Sequence, residues 1–193
     1  MQSLCVFCGS SPGAGDEYLN VARATGRLLA RRGITLVYGG GSVGLMGAIA
    51  NATLREGGRA VGVIPKSLWD MEVGHRALSD LFIVETMHER KAKMAELADG
   101  FLVLPGGIGT LEEFFEVWTW GQLGIHAKPF GVLDVNGYYR GLFDFLDGMV
   151  GQGFLKPEQR AMVQVSTDAN ALIDALAGYA APETVKVMEM ERT

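Results

Sequence analysis

Short apolar runs alternate with longer segments of helical periodicity along most of this chain. The runs that predict strands are residues 4–8, 35–38, 60–64, 81–84, 101–104, 130–135 and 163–165. Apolar positions at helical spacing predict helices over residues 16–32, 45–56, 89–97, 110–123, 138–150 and 168–176. Residues 65–80 have weak periodicity and are a candidate lid. The order of elements is therefore a series of β–α units.

The strand runs are apolar without interruption, which indicates a sheet that is covered on both faces, as parallel sheets are. We therefore predict an α/β fold, a Rossmann-like three-layer sandwich with a mostly parallel sheet. The length of 193 residues fits one domain, which we place at residues 1–180. A charged tail over residues 181–193 follows it.

Composition and charge exclude several classes of partner. The formal net charge is −5, so the chain lacks the overall basic character of a nucleic-acid-binding protein. No apolar run approaches the ~20 residues of a membrane span, and the first residues lack a basic region and a full signal core. Cys5 and Cys8 lie three apart on a predicted strand and face opposite sides, so we expect two buried, reduced thiols. We expect a cytoplasmic protein with no nucleic-acid or membrane partner.

Glycine, with 27 residues, clusters in loops that follow predicted strands. Because ligands of open α/β sheets bind at the carboxyl ends of strands, we expect these loops to form a binding site. Candidate residues are Gly9, Ser10, Gly40, Gly41 and Gly44, and the run 39–44 reads G-x-G-x-x-G at the start of a helix. Its N–H groups could hold a phosphate, or its glycines could serve only tight turns and close packing. No acidic residue ends the strand at 60–64, so we expect no nicotinamide cofactor.

Two charged residues follow separate predicted strands, Arg90 beside Lys91 and Glu113 in the loop P-G-G-I-G-T-L-E-E. If those strands are neighbours, Arg90 and Glu113 face each other across a crevice. A carboxylate beside a cation and a phosphate site suits cleavage of a nucleotide C–N bond through an oxocarbenium-like ribose. Two plainer interpretations stay open: Thr110 and Glu113 could form a helix capping box, and Arg90 and Lys91 a solvated helix start. The histidines show no metal-ligand spacing, so we expect no metal.

The segments M-H-E-R-K and P-G-G-I-G-T-L-E-E together resemble the Lonely Guy family of cytokinin riboside 5′-monophosphate phosphoribohydrolases. The family pattern P-G-G-x-G-T-x-x-E is met at every fixed position, and the resemblance covers roughly residues 3–177. It implies hydrolysis of the N-glycosidic bond of N6-substituted adenosine 5′-monophosphate without a cofactor, releasing the base and ribose 5-phosphate. Relatives have been labelled lysine decarboxylases, but nothing in this sequence resembles a pyridoxal-phosphate lysine site.

The resemblance also implies roles for particular residues. Arg90 and Glu113 would be the catalytic pair. The implied substrate-binding residues are Glu72, Lys91, Gly107, Ile108, Gly109, Thr110, Leu111, Glu112 and Thr119. Residues 107–110 would surround the phosphate.

The helix predicted from residue 110 onward bears on oligomeric state. Thr119 lies six positions after Glu113, about 240° around the helix, so both side chains cannot easily reach one pocket. Thr119 would contact the rim or act near a neighbouring subunit. The apolar belt of this helix is wider than one core-facing stripe, which predicts a twofold homodimer, unless the next crossover buries it.

Two further functions compete with the glycosidase. The first is a non-catalytic carrier of a nucleotide or cofactor, which would have no need of the Arg90 and Glu113 pair. The second is a nicotinamide oxidoreductase, which the missing acidic residue disfavours.

Overall fold

The apolar runs form seven strands in the computed structural model, which describes residues 1–71 and 74–180. In chain order they are β1 Ser3–Phe7, β2 Thr35–Tyr38, β3 Ala60–Pro65, β4 Asp80–Val84, β5 Phe101–Val103, β6 Phe130–Leu133 and β7 Val163–Ser166. All neighbouring strands are parallel, so the expected α/β sandwich is confirmed with a sheet that is parallel throughout.

Eight helices occur in the described residues. They are α1 Asp16–Arg31, α2 Gly44–Arg55, α3 Lys66–Asp70, α4 Met87–Leu97, α5 Ile108–Gln122, α6 Arg140–Gly151, α7 Pro157–Arg160 and α8 Ala169–Ala177. The short helices α3 and α7 are absent from the sequence-based assignment, because four or five residues carry too little periodicity. The predicted tail, residues 181–193, lies outside the described residues.

Each face of the sheet has its own hydrophobic core, which gives the three layers. Alternate strand residues such as Leu4 and Leu36 pack against α1, α2 and α8. The intervening residues, such as Phe7 and Phe101, pack against α4, α5 and α6. Cys5 and Cys8 belong to opposite cores, and both thiols are free and buried, as expected.

The strand order is β4-β3-β2-β1-β5-β6-β7, so the direction of winding reverses between β1 and β5. At such a reversal the loops that follow the two strands diverge and leave a crevice at their carboxyl ends. The glycine-rich loops after β1 and β5 therefore lie beside each other at this crevice. A hydrogen bond from the Gly9 amide to the Pro105 carbonyl, 3.0 Å long, connects them.

The structure contradicts the premise that the strands preceding Arg90 and Glu113 are neighbours. β4 lies at the edge of the sheet and is separated from β5 by β3, β2 and β1. Helix α4 instead crosses the face of the sheet, packing on all four of these strands β1 to β4. This long crossover brings Arg90 toward α5, and it could not be inferred from the local sequence.

The expected capping box at Thr110 and Glu113 is also wrong. Helix α5 begins at Ile108, two residues earlier than predicted, and its N-cap residue is Gly107 with no side-chain cap. Thr110 and Glu113 are therefore inside the helix, and both are buried. The sequence pattern places Ile108 and Gly109 in the loop, and this shifts the expected start of the helix, and with it the cap, by two residues.

Candidate active site

A cleft of about 570 Å³ opens at the carboxyl ends of the central strands. Its floor and walls come from the glycine loops after β1 and β2 and from the end of β3. Helix α4 and the first turns of α5 complete it. Among the lining residues are Gly9, Ser10, Gly41, Arg90, Gly107, Ile108, Gly109, Thr110, Glu112 and Glu113.

Arg90 and Glu113 form an ion pair at the inner end of this cleft. The Arg90 Nη2 atom lies 3.4 Å from Glu113 Oε1, and each side chain is only 10% exposed. Arg90 Nε also donates a hydrogen bond of 3.3 Å to the Val63 carbonyl at the end of β3. The solvated helix start expected as an alternative for Arg90 is therefore wrong.

The start of α4 explains how Arg90 reaches this position. Thr86 is the N-cap, and its hydroxyl accepts a 3.1 Å hydrogen bond from the Glu89 amide. Arg90 follows one turn into the helix, on the side that faces the sheet. A Cβ atom on Gly39 would lie 1.8 Å from Arg90 Nη2, so only glycine at that position leaves room for the guanidinium group.

Burial controls the acidity of Glu113. Loss of solvent raises the pKa of this carboxyl group to about 7, although the nearby Arg90 guanidinium acts in the opposite direction. Glu113 therefore changes between its neutral and ionised forms near neutral pH, which suits a group that exchanges protons during catalysis.

Lys91 lies behind the cleft rather than in it. Its ammonium group forms ion pairs with Glu112 and, at 2.9 Å, with Glu116, one turn further along α5. The Lys91 side chain is 5% exposed, so the alternative of a solvated helix start is wrong for this residue as well. These pairs hold α4 against α5 and place a positive charge close to Glu113.

The N-terminus of α5 is prepared for an anion. Within the described part of the chain, the amides of Ile108, Gly109 and Thr110 donate no hydrogen bond, and no acidic residue occupies the first turn. A Cβ atom on Gly107 or Gly109 would meet nothing within 4 Å. Protein packing therefore does not require glycine there, whereas close approach of a phosphate to the amides does.

The N-terminus of α2 is occupied by the backbone of the loop after β1. The Leu45 and Met46 amides donate to the Gly9 carbonyl at 3.0 and 3.4 Å, so the loop after β1 occupies this helix end. A Cβ atom on Gly44 would lie 2.3 Å from the Ser10 carbonyl carbon, and this crowding requires glycine at position 44. Close packing therefore explains the glycine at position 44, and phosphate binding by this loop stays a prediction.

The candidate lid contacts the loop after β2. Gly74 pairs with Gly41 in an antiparallel bridge, and the His75 amide donates a 2.8 Å hydrogen bond to the Gly40 carbonyl. Within the same segment, Leu68 of α3 lines the cleft. This stretch therefore closes one side of the cleft.

Several predicted site residues do not line the cleft. Leu111 packs against the hydrophobic core, and Gly40 and Gly44 support the loop from behind. Thr119 is exposed, and its hydroxyl donates to the Phe115 carbonyl at 2.7 Å, on another side of α5 from Glu113. Glu72 lies outside the described residues.

The cleft also contains residues that were absent from the predicted set. They are Cys8, Gly39, Val43, Met46, Ile64, Leu68 and Met87. Gly39 could have been found from the sequence, since it is the first glycine of the run 39–44. The need for glycine at this position arises from the space that Arg90 of α4 occupies, which the local sequence does not show. Nothing in the sequence distinguishes the apolar cleft residues, because apolar residues of a core and of a cleft follow the same pattern.

The fold and the cleft together define a Rossmann-like α/β protein in which an uncapped helix N-terminus lies beside a buried carboxylate–guanidinium pair. The family model described as "Possible lysine decarboxylase" matches residues 46–176. A cytokinin riboside 5′-monophosphate phosphoribohydrolase of Rhodococcoides fascians is 49% identical over 176 residues, 91% of this chain and 89% of the relative. Its Arabidopsis thaliana counterpart LOG5 is 47% identical over 91% of this chain and 77% of the relative. The chain therefore belongs to the Lonely Guy family.

Solved structures of the same fold include cofactor carriers. The molybdenum cofactor binding protein of Rippkaea orientalis superposes with a TM-score of 0.69 at 19% identity, over 91% of this chain and 94% of the other. The molybdenum cofactor carrier protein of Chlamydomonas reinhardtii gives 0.68 at 20%, over 91% and 95%. At this identity the likeness concerns the fold alone.

Membrane-spanning helices and metal-binding clusters are both absent from the described residues. No helix among them has both the length and the apolar character that crossing a bilayer demands. Nor do residues 1–71 and 74–180 bring together three or more His, Cys, Asp or Glu side chains in a way that could hold a metal ion.

Proposed function

We infer that this protein hydrolyses the N-glycosidic bond of adenosine 5′-monophosphates, including those with an N6 substituent. The products are the free adenine-type base, a cytokinin where the substituent is present, and ribose 5-phosphate. The protein is thus a hydrolase, as its relatives of 47–49% identity are named. The observation that carries the assignment to this cleft is the buried Arg90–Glu113 pair beside the uncapped N-terminus of α5.

The substrate phosphate binds at the N-terminus of α5, where the amides of Ile108, Gly109 and Thr110 can donate to it. The partial positive charge of the helix end favours the dianion. Because Glu113 follows on the same helix, a phosphate anchored there sets the distance from the ribose to the carboxylate. Binding energy from the phosphate thus supports positioning at the reacting carbon.

At the reacting carbon, the C1′–N9 bond breaks and its electron pair leaves with the base. The Glu113 carboxylate stabilises the positive charge that develops on C1′, and it accepts a proton from the water that attacks there. The departing base takes up one proton and Glu113 releases the one it accepted, so that the hydroxyl of water ends on C1′ and its hydrogen on the base. Arg90 orients this carboxylate through the ion pair and favours departure of the base.

A carrier would also use a phosphate site, but it gains nothing from a buried ionisable pair. Burying a carboxylate and a guanidinium group costs free energy that hydrophobic residues would not. Retention of both groups in the cleft therefore favours catalysis over the carrier function.

The assay that tests this function is chromatography of AMP and N6-isopentenyl-AMP after incubation with the protein. Wild type should release free base and ribose 5-phosphate. Glu113→Gln keeps the shape of the side chain but removes its charge, and it should lower the rate by at least about 100-fold. Adenosine should be a poor substrate, because it lacks the phosphate.

The matched control is Glu96→Gln, which makes the same change on the exposed face of α4, where Lys93 is the one ion-pair partner of Glu96 among the described residues. Its rate should equal that of wild type. Release of base at the wild-type rate by Glu113→Gln would contradict the catalytic assignment. Tight nucleotide binding without any release of base would instead favour the carrier.

The predicted homodimer is the second part of the proposal. The face of α5 that includes Phe114 and Trp118 is buried within the subunit, so that part of the apolar belt needs no partner. Leu123 and Ile125, at the C-terminal end of α5, remain 50% and 65% exposed. We place the twofold contact at this end. The cytoplasmic location stays a prediction.

Sedimentation velocity tests the dimer. Ile125→Glu should convert a dimer into a monomer, because it buries a charge in the contact. The same change at exposed Phe154, Phe154→Glu, is the control and should leave the assembly unchanged. A monomeric wild type would refute the dimer.

A further inference from the structure

A second concave site lies between helices α1 and α2. This groove has a volume of about 330 Å³, and it is separate from the catalytic cleft. Arg23 and Arg27, one turn apart on α1, line it together with Arg55 near the end of α2. We call it the arginine groove.

The charges of this groove are not neutralised by neighbouring side chains. Within residues 1–71 and 74–180, Arg27 and Arg55 have no hydrogen-bond or ion-pair partner, and Arg23 contacts only the Asn20 amide oxygen at 3.3 Å. The one carboxylate that lines the groove, Glu56, is paired with Arg31 at 2.7 Å. By contrast, other described arginines such as Arg31, Arg32, Arg59, Arg90 and Arg160 each have a carboxylate partner.

Like charges repel, and Arg23 and Arg27 lie one turn apart on α1, so these exposed guanidinium groups favour the binding of an anion between them. In a chain with a net charge of −5, carboxylates were available to pair them. Guanidinium groups match phosphate oxygens in a bidentate geometry, which makes phosphate the best-suited anion. The volume is that of a small ligand, and the acidic chain disfavours an extended polyanion such as RNA.

We propose that the arginine groove binds the phosphate group of a small anion, in addition to the nucleotide held by the catalytic cleft. The two sites lie on opposite sides of one loop. Gly41 and Val43 line the cleft, whereas Ser42 and Gly44 line the groove. A test therefore has to locate the bound anion as well as detect it.

Isothermal titration of the full chain with inorganic pyrophosphate is the first measurement. Wild type should bind in two steps, one in the cleft and one in the groove. Arg27→Gln/Arg55→Gln should weaken one step by at least tenfold and leave the other unchanged. Arg59→Gln is the matched control, because Arg59 is also exposed, pairs with Asp80 and does not line the groove. Since these side chains are on the surface, all variants should fold, which thermal unfolding verifies.

Nuclear magnetic resonance locates the anion. The Nε–Hε signals of Arg27 and Arg55 should shift on addition of pyrophosphate, in step with the binding that the double variant loses. Repeating both measurements with AMP distinguishes the sources, and a Glu113→Gln background is used for AMP so that the nucleotide is not hydrolysed during the titration. Loss of a second AMP step assigns the groove to a nucleotide phosphate, whereas loss of the pyrophosphate step alone assigns it to a free phosphate anion.

Identical titrations for wild type and the double variant would overturn the proposal. A single-stranded RNA that binds through these arginines while pyrophosphate does not would also overturn it, in favour of a macromolecular partner. Neither measurement involves catalysis, so failure here leaves the proposed glycosidase function untouched.

Discussion

Glu113 shows how a single residue acquires its properties from its surroundings. Its position on α5 buries the carboxyl group, and the loss of solvent raises its pKa more than Arg90 lowers it. The pair is therefore neither a simple salt bridge nor an isolated acid. This balance makes the ionisation of Glu113 sensitive to every charge nearby, and it leads to two predictions.

The first prediction concerns pH. If Glu113 acts as a carboxylate, kcat/KM for AMP should rise as pH increases through about 7, since ionisation follows that pKa. The substrate phosphate titrates near ~6, so 13C NMR of the labelled Glu113 carboxyl should be measured in parallel. A carboxyl that titrates below pH 5, or a rate that is flat from pH 6 to 8, would contradict it.

The second prediction concerns Lys91. Lys91→Met removes the positive charge that pairs with Glu112 and Glu116, so two unneutralised carboxylates should raise the pKa of Glu113 further. We expect the acidic limb of the rate profile to move up by roughly one pH unit, with little change in KM.

Lys91→Arg keeps the charge, and it should restore most of the wild-type profile. The alternative implied by the family resemblance is that Lys91 binds substrate. In that case KM for AMP would rise in Lys91→Met while the acidic limb stayed in place.

At the scale of elements, the N-terminus of α5 has two requirements that usually conflict, namely a stable first helical turn and backbone amides that a ligand can reach. Glycine is a poor helix former, and yet Gly109 lies in the first turn, after Gly107 at the N-cap, where glycine is tolerated. Neither has a positive φ, and neither faces a neighbouring atom that would exclude a side chain. The proposed phosphate site would explain the cost of Gly109 in helix stability, because glycine gives a phosphate access to the backbone amides.

The third prediction follows from this conflict. Gly109→Ala should leave the thermal stability unchanged or raise it, by up to ~1 kcal/mol in unfolding free energy. The methyl group would stand between the amides and the phosphate, so KM for AMP should increase at least tenfold. Gly141→Ala in α6, another open glycine position, is the control and should leave KM unchanged. Equal KM values for the two variants would place the phosphate elsewhere.

At the scale of the whole molecule, long-range connections assemble the site. The cleft takes residues from loops after β1, β2 and β5 and from α4, which crosses four strands. Two tyrosines just before α6 hold the loop after β5 in place. The Tyr138 hydroxyl donates to the Gly106 carbonyl at 2.7 Å, and the Tyr139 hydroxyl donates to the Leu104 carbonyl at 2.8 Å. His75 adds a further connection between the candidate lid and α2, through a 3.4 Å contact with Asn51.

The fourth prediction concerns this connection. Burial lowers the pKa of His75, and its Nδ1 atom accepts a hydrogen bond from the Ala77 amide, so protonation would break that bond. The unfolded chain therefore binds more protons, and stability should fall as pH decreases below the unfolded value of ~6.5. The loss of melting temperature from pH 7.5 to 5.5 should be smaller in His75→Asn than in wild type.

His88→Asn provides the comparison, because His88 is exposed on α4. It should show the wild-type decrease. A decrease of the same size in His75→Asn as in wild type would mean that another group controls the acid stability.

The sequence by itself determined the parallel α/β sandwich, because unbroken apolar runs alternating with helical periods are local patterns. It also determined which functional groups are available to the cleft, since Arg90 and Glu113 each lie within a short motif, M-H-E-R-K and P-G-G-I-G-T-L-E-E. What only the tertiary structure decided depends on contacts between distant segments. These are the crossover that joins Arg90 to Glu113, the occupation of the α2 N-terminus by the loop after β1, and the pairing of Lys91 behind the cleft. Each depends on contacts that backbone and side-chain groups make with other elements of the fold, and the local sequence does not carry that information.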